Sequence, residues 1–163
     1  MNDSQHITRR DLLASAAALA CGVSTQRGYA TLKNPVKPKS VAAVISIYEP
    51  GTHADVLIGK ILEGCKQDGG PGPALKLSSL YVDQVSDRDL SRGMAEKYNI
   101  PVFDTIEKTV TVGGDQIPVD GVISIGEHGD YPFNEKGQQL YPRRRFFKEI
   151  TDTFRKYERV VPV

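Results

Sequence analysis

The 163-residue chain predicts an α/β fold: three layers, α/β/α, built on a mostly parallel five-stranded sheet. Three observations carry this. Apolar runs of strand length alternate with stretches whose apolar residues recur every three or four positions. Short loops containing Gly and Pro separate them. Alternation of this kind sets each strand parallel to the last and leaves helices on both faces of the sheet.

The first strand is Val41 to Tyr48, an almost unbroken apolar run that suits a strand buried on both faces. Pro50-Gly51 ends it. Ala54, Leu57, Ile58, Ile61, Leu62 and Cys65 then share one face of a helix from about His53 to Cys65, with the Cys65 thiol packed as a small hydrophobe. A loop at Gly69 to Pro73 leads to a second strand, Leu75 to Asp83. Ser86 and Asp89 have capping-box spacing ahead of a helix marked by Leu90, Met94 and Tyr98. Ile100 to Phe103 is a short third strand, and Pro101 suits a sheet edge. Asp104 and Glu107 introduce a brief helix toward Val110. Gly113-Gly114-Asp115 turns the chain into a fourth strand, Val119 to Ile125. A long loop reaches Tyr141. The last helix opens near Pro142 and carries the stripe Phe146, Ile150, Phe154 and Tyr157. Val160 to Val163 is a fifth strand, and since the chain stops inside it the sequence reads as a fragment of a longer protein, the alternative being a short protein that ends on a core strand.

Residues 1–30 read as a twin-arginine export signal. Arg9-Arg10 precedes a mild apolar run, Leu12 to Val23, which at about a dozen residues falls short of the roughly 20 that a spanning helix needs. The expected partner is the twin-arginine export machinery, the expected location periplasmic or secreted, and no permanent membrane span is expected. Small residues at Gly28 and Ala30 suit cleavage after Ala30. The alternative ends the signal at Ala20-Cys21, with a lipid on Cys21. Residues 31–40, holding Pro35, Pro38 and three lysines, form a linker, so the domain is 41–163.

Charge narrows the function. Of 21 basic and 20 acidic residues, the signal holds three and two, which leaves 18 of each in the remainder. A balance near zero argues against nucleic acid as a partner, because that binding draws on excess cations. No Cys/His spacing of a zinc site occurs, so no metal ligands are assigned.

Two phrases carry a family likeness: Ala95-Glu96-Lys97-Tyr98-Asn99-Ile100-Pro101-Val102-Phe103-Asp104-Thr105, and Val119-Asp120-Gly121-Val122-Ile123-Ser124-Ile125. On them the stretch from Val41 to Val163 resembles the Rossmann-like N-terminal domain of the glucose-fructose oxidoreductase, inositol dehydrogenase and MocA family, as found in exported bacterial proteins. The resemblance implies an oxidoreductase-like fold with NAD or NADP as cofactor. It places cofactor contacts at Gly51 and Thr52 in the first turn and at Asp83, where the family holds a ribose. It also implies that the catalytic Glu-Lys-Pro phrase and the second domain would follow Val163. The glycine-rich phosphate fingerprint is missing. The turn reads Glu49-Pro50-Gly51-Thr52-His53-Ala54-Asp55, where Pro50 has no N–H and two carboxylates would repel a pyrophosphate. That argues against dinucleotide binding.

The residues themselves suggest another site. Ligands of open parallel sheets bind beyond the carboxyl ends of the strands. The loops after the first and fourth strands bring His53 on one side and Glu127 and His128 on the other, a set able to hold a small anionic or sugar-like ligand or a metal, or to move protons near neutral pH. The competing expectation has His53 capping its helix and Glu127-His128 solvated. Arg143, Arg144 and Arg145 crowd the first turn of the last helix, where each cation opposes the dipole by about 0.3–1 kcal/mol. A bound anion at Arg143 and Arg144, or the chain's own Asp130, Glu135 or Glu149, would offset that. The functional alternatives are thus an exported oxidoreductase-like domain, an anion- or metal-binding module, and a structural exported domain.

Overall fold

Strand β1 (Lys39–Ile45) forms the middle of a parallel sheet, with β2 (Leu75–Val82) on one side and β3 (Gly121–Ile125) on the other. The computed structural model describes residues 37–163. The expected export signal of residues 1–30, Cys21 included, lies outside these residues, as does most of the linker, whose last two positions, Lys39 and Ser40, open β1. Among the described residues no helix is long and apolar enough to cross a membrane.

Among the described residues four helices complete the order: α1 (His53–Glu63), α2 (Ser91–Tyr98), α3 (Ile106–Thr111) and α4 (Arg143–Lys156). Side chains of β1 alternate between two cores, as strand geometry requires. Val41, Ala43 and Ile45 pack with Ala54 and Ile58 of α1 and Ala95 of α2. Ala42 and Val44 pack on the opposite face with Ile106 and Val110 of α3 and Phe146, Ile150 and Phe154 of α4. Burying each large aliphatic or aromatic side chain contributes about 1.5–3 kcal/mol, which is why β1, with a strand on each side and a core on each face, is apolar from Val41 to Ile45. The β1–β2 register slips between Val41 and Ala42, so Ser78 has no partner in the ladder, and its hydroxyl meets that of Ser40 at 2.7 Å.

The expected five-stranded sheet is corrected to three strands. Ile100 to Phe103 makes one parallel bridge, Val102 with Leu80, closed by Leu80 N–H to Pro101 at 3.0 Å and Phe103 N–H to Leu80 at 2.9 Å. Val160 to Val163 lies outside β3 and gives it a single bond, from Val122 N–H to the Pro162 carbonyl at 2.9 Å. Pro101 and Pro162 have no N–H, so neither segment can extend a ladder past one contact. Helix starts also differ. Ser86 does not cap α2: Asp89 accepts from Arg92 N–H at 3.3 Å, while the Ser86 hydroxyl reaches Glu49 at 2.6 Å. Cys65 is exposed rather than packed, because α1 stops at Glu63 and Gly64 (φ +87) turns the chain off the apolar face.

Candidate functional site

Parallel pairing places the carboxyl ends of all three strands on one edge, and hydrogen bonds continue the register into the loops. Ser46 N–H reaches Ile125 at 2.9 Å, Asp83 N–H reaches Ile45 at 3.0 Å and Gln84 N–H reaches Ser46 at 2.8 Å. The Ser46 hydroxyl donates to the Glu127 carbonyl. Two of the expected loops therefore meet.

At their meeting, His53 Nδ1 lies 2.7 Å from one carboxylate oxygen of Glu127 and 3.1 Å from His128 Nε2. The two imidazole rings are tilted at 33° with centroids 4.9 Å apart. The other Glu127 oxygen accepts from Arg143 at 2.9 Å. His53 is the first residue of α1 and Arg143 the first of α4, so two helix starts converge on one carboxylate. They border a cleft of about 450 Å³ whose apolar walls are Leu57 and Phe147, one from each helix. Leu57 and Phe147 are 46% and 57% exposed, so neither serves the core.

The loop after β3 is shaped to present His128. Its φ is +64, in the left-handed region that a residue with a side chain seldom occupies, and Gly129 follows at +109. Gln84 clamps this loop by donating to the Asp130 carbonyl at 2.9 Å and accepting Asp130 N–H at 2.8 Å. Gly126 supplies a close approach: a Cβ there would stand 3.1 Å from the Arg143 nitrogen and 3.2 Å from its Cα. The sequence shows Gly126 as a strand terminator, but no local signal reveals that it lets α4 start against the loop.

Other expected site residues lie elsewhere or are already engaged. Thr52 caps α1: its hydroxyl accepts Asp55 N–H at 3.4 Å and donates to Glu49 at 2.8 Å. Gly51 takes φ +79, a turn glycine allows, and its N–H binds the Asp55 carboxylate at 2.8 Å. The first turn thus uses the N–H groups of Gly51, Thr52 and Asp55 internally. Arg144 leaves Arg143 and lines a separate cleft of about 520 Å³ with Tyr131, Leu140 and Tyr141.

Asp83, expected at a ribose, is the centre of a second polar cluster that sequence reasoning missed. One oxygen accepts from Tyr81 at 2.6 Å and from Arg145 at 2.5 Å, and the other from Tyr131 at 2.8 Å. Burial works to raise its pKa, yet these three donors together hold it below the usual carboxylate range. Both phenols are pushed up, first by burial and then by donating to the carboxylate. Each Asp83 oxygen already has a partner within the protein. Arg145 also meets Glu149 at 3.4 Å, so acids of this chain neutralise two of the three clustered arginines; of the acids expected in that role, Glu149 takes part, alongside Glu127 and Asp83.

Among the described residues no group of three or more His, Cys, Asp or Glu side chains could hold a metal ion; His53 contacts both Glu127 and His128. Comparison with protein-family models, with curated proteins and with solved structures finds no match to this chain.

Proposed function

We propose that the described domain is a binding module for a small anionic ligand, a carboxylate or phosphate, taken up in the cleft between the starts of α1 and α4. One observation carries the proposal: His53 and Arg143 clasp the two oxygens of a single carboxylate, Glu127, beside a cleft with apolar walls. Two cationic or proton-bearing groups organised around one acid leave donors to spare. The guanidinium has five N–H groups and uses one on Glu127. The start of α4, which has no side-chain cap, adds N–H groups and a favourable dipole for negative charge. Leu57 and Phe147 would shelter the ligand from water and so strengthen those contacts.

Isothermal calorimetry on the full, chelator-treated chain tests this with inorganic phosphate, succinate and NADH as separate ligands. A saturable heat with phosphate or succinate, at least tenfold weaker in Arg143→Ala and unchanged in Lys108→Ala on the far helix α3, is expected. A tenfold loss corresponds to about 1.4 kcal/mol. Absence of saturable heat up to millimolar concentration, or undiminished affinity in Arg143→Ala, overturns the proposal. Tight NADH binding indifferent to Arg143→Ala would point instead to an oxidoreductase-like module.

A further inference from the structure

We infer that the second cleft takes an aromatic carboxylate, a flat ring that carries one negative charge. This cleft is separate from that of Arg143 and independent of the anion reading above. Its walls come from the loop after β3 and from the first two turns of α4: Tyr131, Leu140, Tyr141, Arg144, Arg145 and Lys148 around about 520 Å³. Charge sets the sign and the number. Arg145 is held by Asp83 and Glu149, and Lys148 by Asp152. Arg144 is exposed and forms no ion pair among the described residues, which leaves one cation on the rim without an acid. A single carboxylate matches it, and the guanidinium fork suits the two oxygens.

Shape sets the rest of the ligand. The Tyr131 and Tyr141 rings meet edge to face at 70°, with centroids 6.0 Å apart. A flat ring can lie against one and meet the other by its edge, at the spacings of about 4.5–7 Å that aromatic pairs prefer. Leu140, 51% exposed, adds an apolar surface that lies outside both cores. Asp83 braces two of the walls: Tyr131 donates to it at 2.8 Å and Arg145 at 2.5 Å, so one sheltered carboxylate holds both side chains. Arg143 lies over the Tyr141 ring at 5.4 Å and restrains it. Walls held in this way lose little freedom when a ligand arrives. An alkyl carboxylate would engage Arg144 alone, and an uncharged ring the tyrosines alone. A ring and a charge together use both.

Calorimetry on the full chain with 2-naphthoate tests this, with 2-naphthamide as the ring without the charge and acetate as the charge without the ring. The chain has no Trp, so naphthoate fluorescence gives a second readout. One naphthoate per chain is expected, saturating below millimolar concentration, with both controls at least tenfold weaker. Affinity should fall at least about tenfold in Arg144→Ala, which loses a charge-assisted contact. It should fall about two- to tenfold in Tyr141→Leu, the range of one aromatic pair, and stay close to the parent's in Arg143→Ala. Far-ultraviolet circular dichroism confirms that each variant is folded. No saturable naphthoate binding, naphthamide binding as tight as naphthoate, or affinity unchanged in Arg144→Ala or Tyr141→Leu overturns the inference. Naphthoate binding lost in Arg143→Ala but kept in Arg144→Ala puts the ring in the first cleft and overturns it too. Failure of phosphate and succinate to bind, with naphthoate binding intact, removes the anion proposal and leaves this one standing.

Discussion

Replacing Asp83 with Asn keeps the shape of the side chain and removes its charge. Asp83 accepts from two phenols and a guanidinium, and its side chain is 13% exposed. A sheltered hydrogen bond to a charged group contributes about 1.5–3 kcal/mol. Arg145 is 44% exposed, so screening brings its share toward about 1 kcal/mol. Asn retains one acceptor oxygen, and a net loss of about 2–3 kcal/mol at neutral pH follows. At roughly 4 °C per kcal/mol for a domain of this size, the melting temperature should fall by about 8–12 °C. The pH dependence is the sharper check. A carboxylate whose folded pKa lies below its unfolded value stabilises the fold above that unfolded value, and the contribution disappears as pH falls through the folded one. Asp83 is lowered from an ordinary 3.8. The gap between parent and Asp83→Asn, measured by urea denaturation, should therefore be full at neutral pH and close once the pH drops below that ordinary value. A gap that persists unchanged in strong acid, or one under about 0.5 kcal/mol at neutral pH, refutes the reasoning.

Three further perturbations follow from single contacts. Thr52→Ala removes the cap of α1 and should cost about 1 kcal/mol in urea denaturation, with phosphate binding weakened because His53 is the next residue. Phe146→Ala empties a fully buried position facing β1 and should cost about 3–5 kcal/mol by the same measurement. Gly126→Ala forces a methyl group against the backbone of Arg143 and should cost about 1–3 kcal/mol, with anion affinity in calorimetry falling alongside stability.

Element order was legible because each strand and helix leaves a local pattern. Val41 to Ile45 is apolar throughout since β1 feeds both cores, and Phe146, Ile150 and Phe154 recur at helical spacing since α4 has one buried side. Strand number was not legible. Val102 and Pro162 have strand-like neighbours, yet a ladder needs a donor on every second residue, and the prolines withhold it. The meeting of His53 with Glu127 and His128 was legible from topology alone, as parallel strands end on a common edge. The role of Asp83 was not. Its donors Tyr131 and Arg145 stand 48 and 62 positions away, and no local signal reports a pairing at that distance. The arginine triplet shows both cases. Successive helical residues point about 100° apart, so Arg143 reaches the loop of β3, Arg145 reaches the end of β2, and Arg144 lines another cleft. A run that looks like one anion clamp in the sequence is divided in space, with Arg143 on one cleft and Arg144 and Arg145 on another.

Glu127 governs how tightly the cleft can hold an anion. Among the described residues it is the acid in contact with both His53 and Arg143. An incoming anion takes the remaining N–H groups of Arg143 beside it, so two like charges repel across one guanidinium. Glu127→Gln removes the neighbour's charge while keeping a carbonyl oxygen near Arg143. Phosphate affinity in calorimetry should then rise, by about two- to fivefold, as expected for relieving a partly exposed like charge worth about 0.4–1 kcal/mol. A rise in affinity cannot arise from general damage to the fold, which would weaken binding. A loss of phosphate affinity in Glu127→Gln would mean that the carboxylate positions Arg143 more than it repels the ligand, and the anion would have to bind outside this clasp.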